Sequence, residues 1–135
     1  MQNENYQKLA EEWFKKADDD LGTAKLLLKE ESFPASVCFH AHQAAEKYLK
    51  GFLVYHGNNI EDEFKIHNLL KLFDYCEETD KNIVTSLKEY CFTLNRYYIE
   101  TRYPSDVPEY PWQEVEKAVD AAEDLKKGIF KIIKR

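Results

Sequence analysis

The sequence predicts an all-α fold, an antiparallel up-and-down bundle of four long helices and one short helix. Three observations lead there. Apolar residues recur at helical spacing through most of the chain. Residues that make turns are scarce, since 135 residues hold only four Gly and four Pro, too few for the many reversals of a β fold. A 44% apolar share beside 33% charge supplies one core under a charged surface, so residues 1–135 are expected to form a single domain.

The first helix is expected from about Asn5 to Lys29, with Ala10, Phe14, Ala17, Leu21, Ala24 and Leu28 in period and Trp13 adjoining. Its Asp18-Asp19-Asp20 triplet is no metal site, because successive helical residues point about 100° apart and cannot converge on one ion. Asp18 and Asp19 are expected in solvent. Asp20 lies on the edge of the apolar stripe, and a carboxylate there needs a partner. A basic residue from another helix is expected, and both a structural ion pair and a site role stay open.

The second helix, Pro34 to Gly57, is the expected spine. Val37, Cys38, Ala41, Ala45, Tyr48, Leu49 and Phe52 fall within a sector of about 120°. His40, His42, Gln43, Glu46, Lys47 and Lys50 take the opposite side, where His42–Glu46 and Glu46–Lys50 are expected as solvated pairs worth a few tenths of a kcal/mol. Pro34 suits a first-turn position, Ser32 a cap and Gly57 a left-handed stop. Ala41, Ala44 and Ala45 let another helix come close.

After an acidic loop from Gly57 to Ile66, His67 opens a short helix ending near Cys76, where it can cap, pack or line a pocket. Asp80 is expected to cap the fourth helix, whose inward face is Ile83, Leu87, Tyr90, Cys91, Leu94 and Tyr98. Pro104 should stop that helix near Arg102. Three tyrosines and two arginines therefore gather at a helix end. Such side chains stack on bases and fork onto phosphates, or else pin the loop and cap the helix. The last helix begins at Pro111 or Trp112 and keeps its period through Val115, Ala118, Ala122, Leu125, Ile129 and Ile132.

The net charge of −6 argues against broad affinity for nucleic-acid backbones while leaving room for a local basic site. No stretch has a transmembrane length, and the polar N-terminus has no signal pattern, so a cytoplasmic protein is expected. Cys38, Cys76 and Cys91 form no CxxC and are expected as buried small hydrophobes.

Three segments carry a family resemblance: Gln-Ala-Ala-Glu-Lys-x-Leu-Lys at 43–50, His67-Asn68-Leu69, and Tyr-Tyr-Ile-x-Thr-Arg-Tyr-Pro at 97–104, continuing to Asp106. In this order they resemble the HEPN domain, the small helical domain found beside minimal nucleotidyltransferases and in toxin–antitoxin pairs. The family commonly has Asp where this chain has Asn68. One branch consists of RNases marked by an Arg followed about four to six residues later by a His. Here the arginines are Arg96, Arg102 and Arg135, and the last histidine is His67, so that motif is absent and an RNase toxin is disfavoured. The other branch binds substrate or nucleotide, forms homodimers and partners a separate nucleotidyltransferase chain. The chain has neither a nucleotidyltransferase signature nor a phosphate loop, so any catalysis is expected from the partner. The resemblance thus implies a non-catalytic nucleotide- or RNA-binding subunit, with a purely structural interaction protein as the alternative. The candidate site is Asp20, Gln43, Glu46, Lys47, Lys50, His67, Tyr98, Arg102, Tyr103 and Asp106. Arg102 would fork onto a phosphate, Lys50 would add a point charge, and Tyr98 or Tyr103 would stack on the base. No metal or cofactor is expected.

Overall fold

A computed structural model of the chain describes residues 2–59, 67–98 and 109–133, with side chains from Glu4 onward. Its described residues form five helices and no strands. Helix α1 spans Gln2–Lys29, α2 Pro34–Tyr55, α3 Leu69–Thr79, α4 Lys88–Leu94 and α5 Trp112–Ile132. Helix α4 is extended at both ends by 3-10 turns, Thr85–Leu87 and Asn95–Tyr98.

Helix α2 packs against all four other helices, as a spine must. Its apolar face reaches Phe14 on α1, and Gly51 permits the closest approach: a Cβ built there would lie 2.5 Å from the Phe14 ring. The core continues through Leu69, Leu72 and Phe73 of α3, Cys91 and Leu94 of α4, and Val115, Leu125 and Ile129 of α5. Phe130 closes the far side, its ring edge-on to Phe14 and to Tyr48, with centroids 5.1 and 5.7 Å away. Each of α2, α3 and α4 buries one free thiol, Cys38, Cys76 and Cys91 respectively. Burial pushes the Cys38 and Cys91 thiols up to about 12 and Cys76 well above its ordinary value.

Several local expectations change. Ser32 does not cap α2. The α1 helix instead ends in a Schellman arrangement, with Ser32 N–H donating to the Leu27 carbonyl and Glu31 N–H to that of Leu28. Glu31, at φ 49°, takes the left-handed place usually held by glycine. Phe33, also left-handed, stands at the start of α2 with no side-chain cap. At the other end Gly57, at φ 90°, makes the expected left-handed stop, and Asn58 N–H closes onto the Leu53 carbonyl. Asp80 is the residue after α3 rather than the cap of α4; its carboxylate accepts from Asn82 N–H. Asp18 is not left to water, since it accepts from the buried Tyr48 hydroxyl and pairs with Lys126 at 3.0 Å. Among the described residues no helix is long and apolar enough to cross a membrane.

Candidate functional site

The largest departure from expectation is the side of α2 read as solvated. His42, Glu46 and Lys50 are 0%, 4% and 7% exposed. Spaced by four residues, they form one stripe along the helix, met by Trp13 of α1, by His67 just before α3 and by Tyr98 after α4. The helical wheel separated this face from the apolar one correctly but carried no information about its neighbours. Isolated charges at such depth would be prohibitive, and the stripe is paired accordingly. Glu46 Oε2 accepts from the Lys50 ammonium at 3.1 Å, and Glu46 Oε1 accepts from His67 Nδ1 at 2.7 Å. The Lys50 ammonium also lies over the Trp13 ring, 5.9 Å from its centroid.

His42 holds the same loop by its backbone. Its Nε2 is 3.1 Å from the His67 carbonyl, and a carbonyl only accepts, so Nε2 carries the proton. Nδ1 of the neutral ring is then a lone pair. The Gln43 side-chain end, 3.2 Å away, must therefore turn its amide N–H toward the ring. Burial pulls the His42 pKa below its ordinary value, and the Glu46 carboxylate and the His67 carbonyl offset this only in part. The unfolded chain thus binds a proton that the folded one refuses. Stability should fall as pH drops below about 6.5, with a slope of at most about 1.4 kcal/mol per pH unit for this group. A His42→Gln variant should flatten that part of the profile in urea titrations between pH 7 and 5.

The ring of His67 is placed by two asparagines. Asn68 caps α3, its Oδ1 accepting from the Leu70 and Lys71 N–H groups at 3.0 and 3.2 Å. Asn95, in the 3-10 turn after α4, accepts from Leu69 N–H at 2.8 Å and donates to Asn68 Oδ1 at 3.3 Å. That clasp fixes the start of α3 against the end of α4, and His67, next to Asn68, meets Tyr98, at the end of the same 3-10 turn as Asn95: the two rings stack at 4.2 Å with 9° between their planes. His67 is thus held by its carbonyl, its Nδ1 edge and one ring face. Its side chain still keeps 43% exposure.

Of the candidate residues, Glu46, Lys50, His67 and Tyr98 come together, and Gln43 joins through His42. Asp20 and Lys47 form a neighbouring pair, in which Asp20 takes the Lys47 ammonium and lies 3.0 Å from His40 Nδ1. This is the basic partner expected from another helix. Both lysines are therefore committed to carboxylates, and Lys50 in particular is spent on Glu46, not free to act as a point charge for phosphate. Arg102, Tyr103 and Asp106 lie outside the described residues. The sequence reading missed His42 and Asn95: one looked like a surface residue, and the other pairs across 27 positions with no local mark. Among the described residues no three His, Cys, Asp or Glu side chains gather as a metal would require.

A model of the HEPN domain matches residues 10–132. The chain belongs to the HEPN family. MJ1304 of Methanocaldococcus jannaschii, which is provisionally named a toxin, is 28% identical over 137 residues, covering 94% of this chain and 87% of that protein. The crystal structure of ST0689, described as an archaeal HEPN homologue, superposes with a TM-score of 0.72 at 22% identity, covering 92% of this chain and 97% of that one. At that identity the second likeness speaks for the fold, and the HEPN bundle is all-α as expected.

Proposed function

We propose that this HEPN chain, as one domain over 1–135, is a non-catalytic binding subunit. It works in the cytoplasm as a homodimer beside a separate minimal nucleotidyltransferase and takes a nucleotide or short RNA at the His67 face. The observation that carries this reading is the His67–Tyr98 ring pair. An imidazole fixed at three points yet still open to solvent is what a recognition group requires, and the adjoining aromatic face suits a base. Glu46, Lys50 and, through His42, Gln43 support that face, and the Asp20–Lys47 pair lies beside it. Arg102, Tyr103 and Asp106 extend the site along the sequence, and Arg102 is the guanidinium proposed for phosphate.

Calorimetric titration with AMP and with a short oligoribonucleotide tests the reading. Tyr98→Ala and Arg102→Ala should each weaken binding about tenfold or more, since charge-assisted bonds and base stacking contribute about 1–3 kcal/mol apiece, while thermal melts stay unchanged. Binding unaffected by both variants would overturn it. Light scattering at tens of micromolar should give twice the monomer mass, and a monomer would refute the dimer. The purified chain should leave RNA intact, because no Arg precedes a His at the motif spacing. Metal-independent cleavage abolished by His67→Ala would replace the binding reading with an enzymatic one.

A further inference from the structure

The Glu46–His67 contact fixes more than a position. A buried carboxylate only accepts, so the Nδ1 atom that it holds at 2.7 Å must carry the ring proton. Whenever the imidazole is neutral, Nε2 is therefore a bare lone pair. Among the described residues no hydrogen bond uses that atom, and Tyr98 occupies a ring face rather than the edge where Nε2 lies. The backbone carbonyl is engaged by His42 and the Nδ1 edge by Glu46, which is itself held by Lys50. The ring can neither flip nor exchange tautomers without leaving a carboxylate that is 4% exposed short of a donor.

Such a group selects by sign. A lone pair repels the oxygens of a phosphate and accepts from a hydroxyl. We infer that Glu46 sets His67 as a hydrogen-bond acceptor, and that its ligand group is a ribose hydroxyl, so the site discriminates ribonucleotides from their deoxy forms. This rests on the proposed nucleotide site and names which of its atoms reads the sugar. His67 is then the specificity-determining residue and Glu46 the positioning residue behind it.

The test uses the full chain at pH 8, with AMP, 2′-deoxy-AMP and 3′-deoxy-AMP as probes in calorimetry. AMP should bind at least about tenfold more tightly than one of the two deoxy forms. Equal binding of all three overturns this inference alone, whereas binding of none refutes the nucleotide reading and this inference with it. Ring ¹⁵N shifts of His67 should place the proton on Nδ1; a proton on Nε2 overturns the assignment irrespective of any ligand. Glu46→Gln can still offer its oxygen to Lys50, but it turns an amide N–H toward Nδ1 and forces the proton to Nε2. This variant should lose the hydroxyl preference, and a retained preference would overturn the proposal. Should it fail to fold, His67→Ala serves instead, because the side chain is partly exposed. Its preference for the ribose form over the deoxy form should vanish, and a retained preference would overturn the proposal.

Discussion

Lys50→Met should destabilise the domain by about 3–5 kcal/mol, although it places an apolar side chain of similar length where a charged one was buried. The cost comes from what stays behind. Glu46, whose side chain is 6% exposed, would keep only His67 as a partner, and its Oε2 would lose the ammonium at 3.1 Å. A carboxylate at that depth with half of its donors removed must take up a proton or draw in water. Urea denaturation at pH 7 reads the loss directly. Replacing both members, Glu46→Leu with Lys50→Met, should recover most of it, since an apolar pair no longer carries the desolvation cost of two ions. A single-variant loss below about 1 kcal/mol would mean that the pair is as lightly held as an exposed surface bridge.

Phe14→Ala should cost about 3–5 kcal/mol, because the ring is fully buried and the cavity left behind can collapse only in part. The more telling measurement couples it to Gly51. Helix propensity alone favours Gly51→Ala by about 1 kcal/mol. In this bundle the new methyl would fall 2.5 and 2.7 Å from two atoms of the Phe14 ring, and that ring is pinned edge-on against Phe130. Overpacking of this kind costs about 1–3 kcal/mol, so Gly51→Ala should destabilise the parent. In the Phe14→Ala background the same substitution should stabilise, as the methyl then fills space and propensity acts unopposed. The double-mutant cycle should therefore show a change of sign. A Gly51→Ala parent as stable as the original would show that α1 and α2 can move apart at no cost.

The helices were legible because their apolar periods are long: the face from Val37 to Phe52, the closing stripe from Val115 to Ile129, and a glycine at 57 to stop the spine. What covers each face was not legible. His42, Glu46 and Lys50 looked like solvated helix residues because a period of 3.6 sorts side chains by direction, not by the element that packs above them. Trp13 and His67, which cover that stripe, come from either side of it in the sequence. Local caps failed for a related reason. Ser32 and Asp80 have the right chemistry for a helix start, but the backbone ended α1 through a left-handed Glu31 and opened α2 from Phe33, and it placed Asp80 after α3. The resemblance pointed to Glu46, Lys50, His67 and Tyr98 one by one. The Asn68–Asn95 clasp that draws two of them together was not legible, because nothing around Asn95 marks a partner 27 positions away.

The three buried thiols give the bundle a built-in clock. One cysteine sits on each of α2, α3 and α4, and each is held in its protonated, unreactive form by burial. Alkylating reagents can reach them only when the surrounding helices part, so the rate of labelling at each site measures how often that part of the structure opens. Equal rates at Cys38, Cys76 and Cys91 would describe a molecule that opens as one cooperative unit. A faster Cys91 would show α4, the shortest helix, peeling away first and taking Tyr98 from its partner ring.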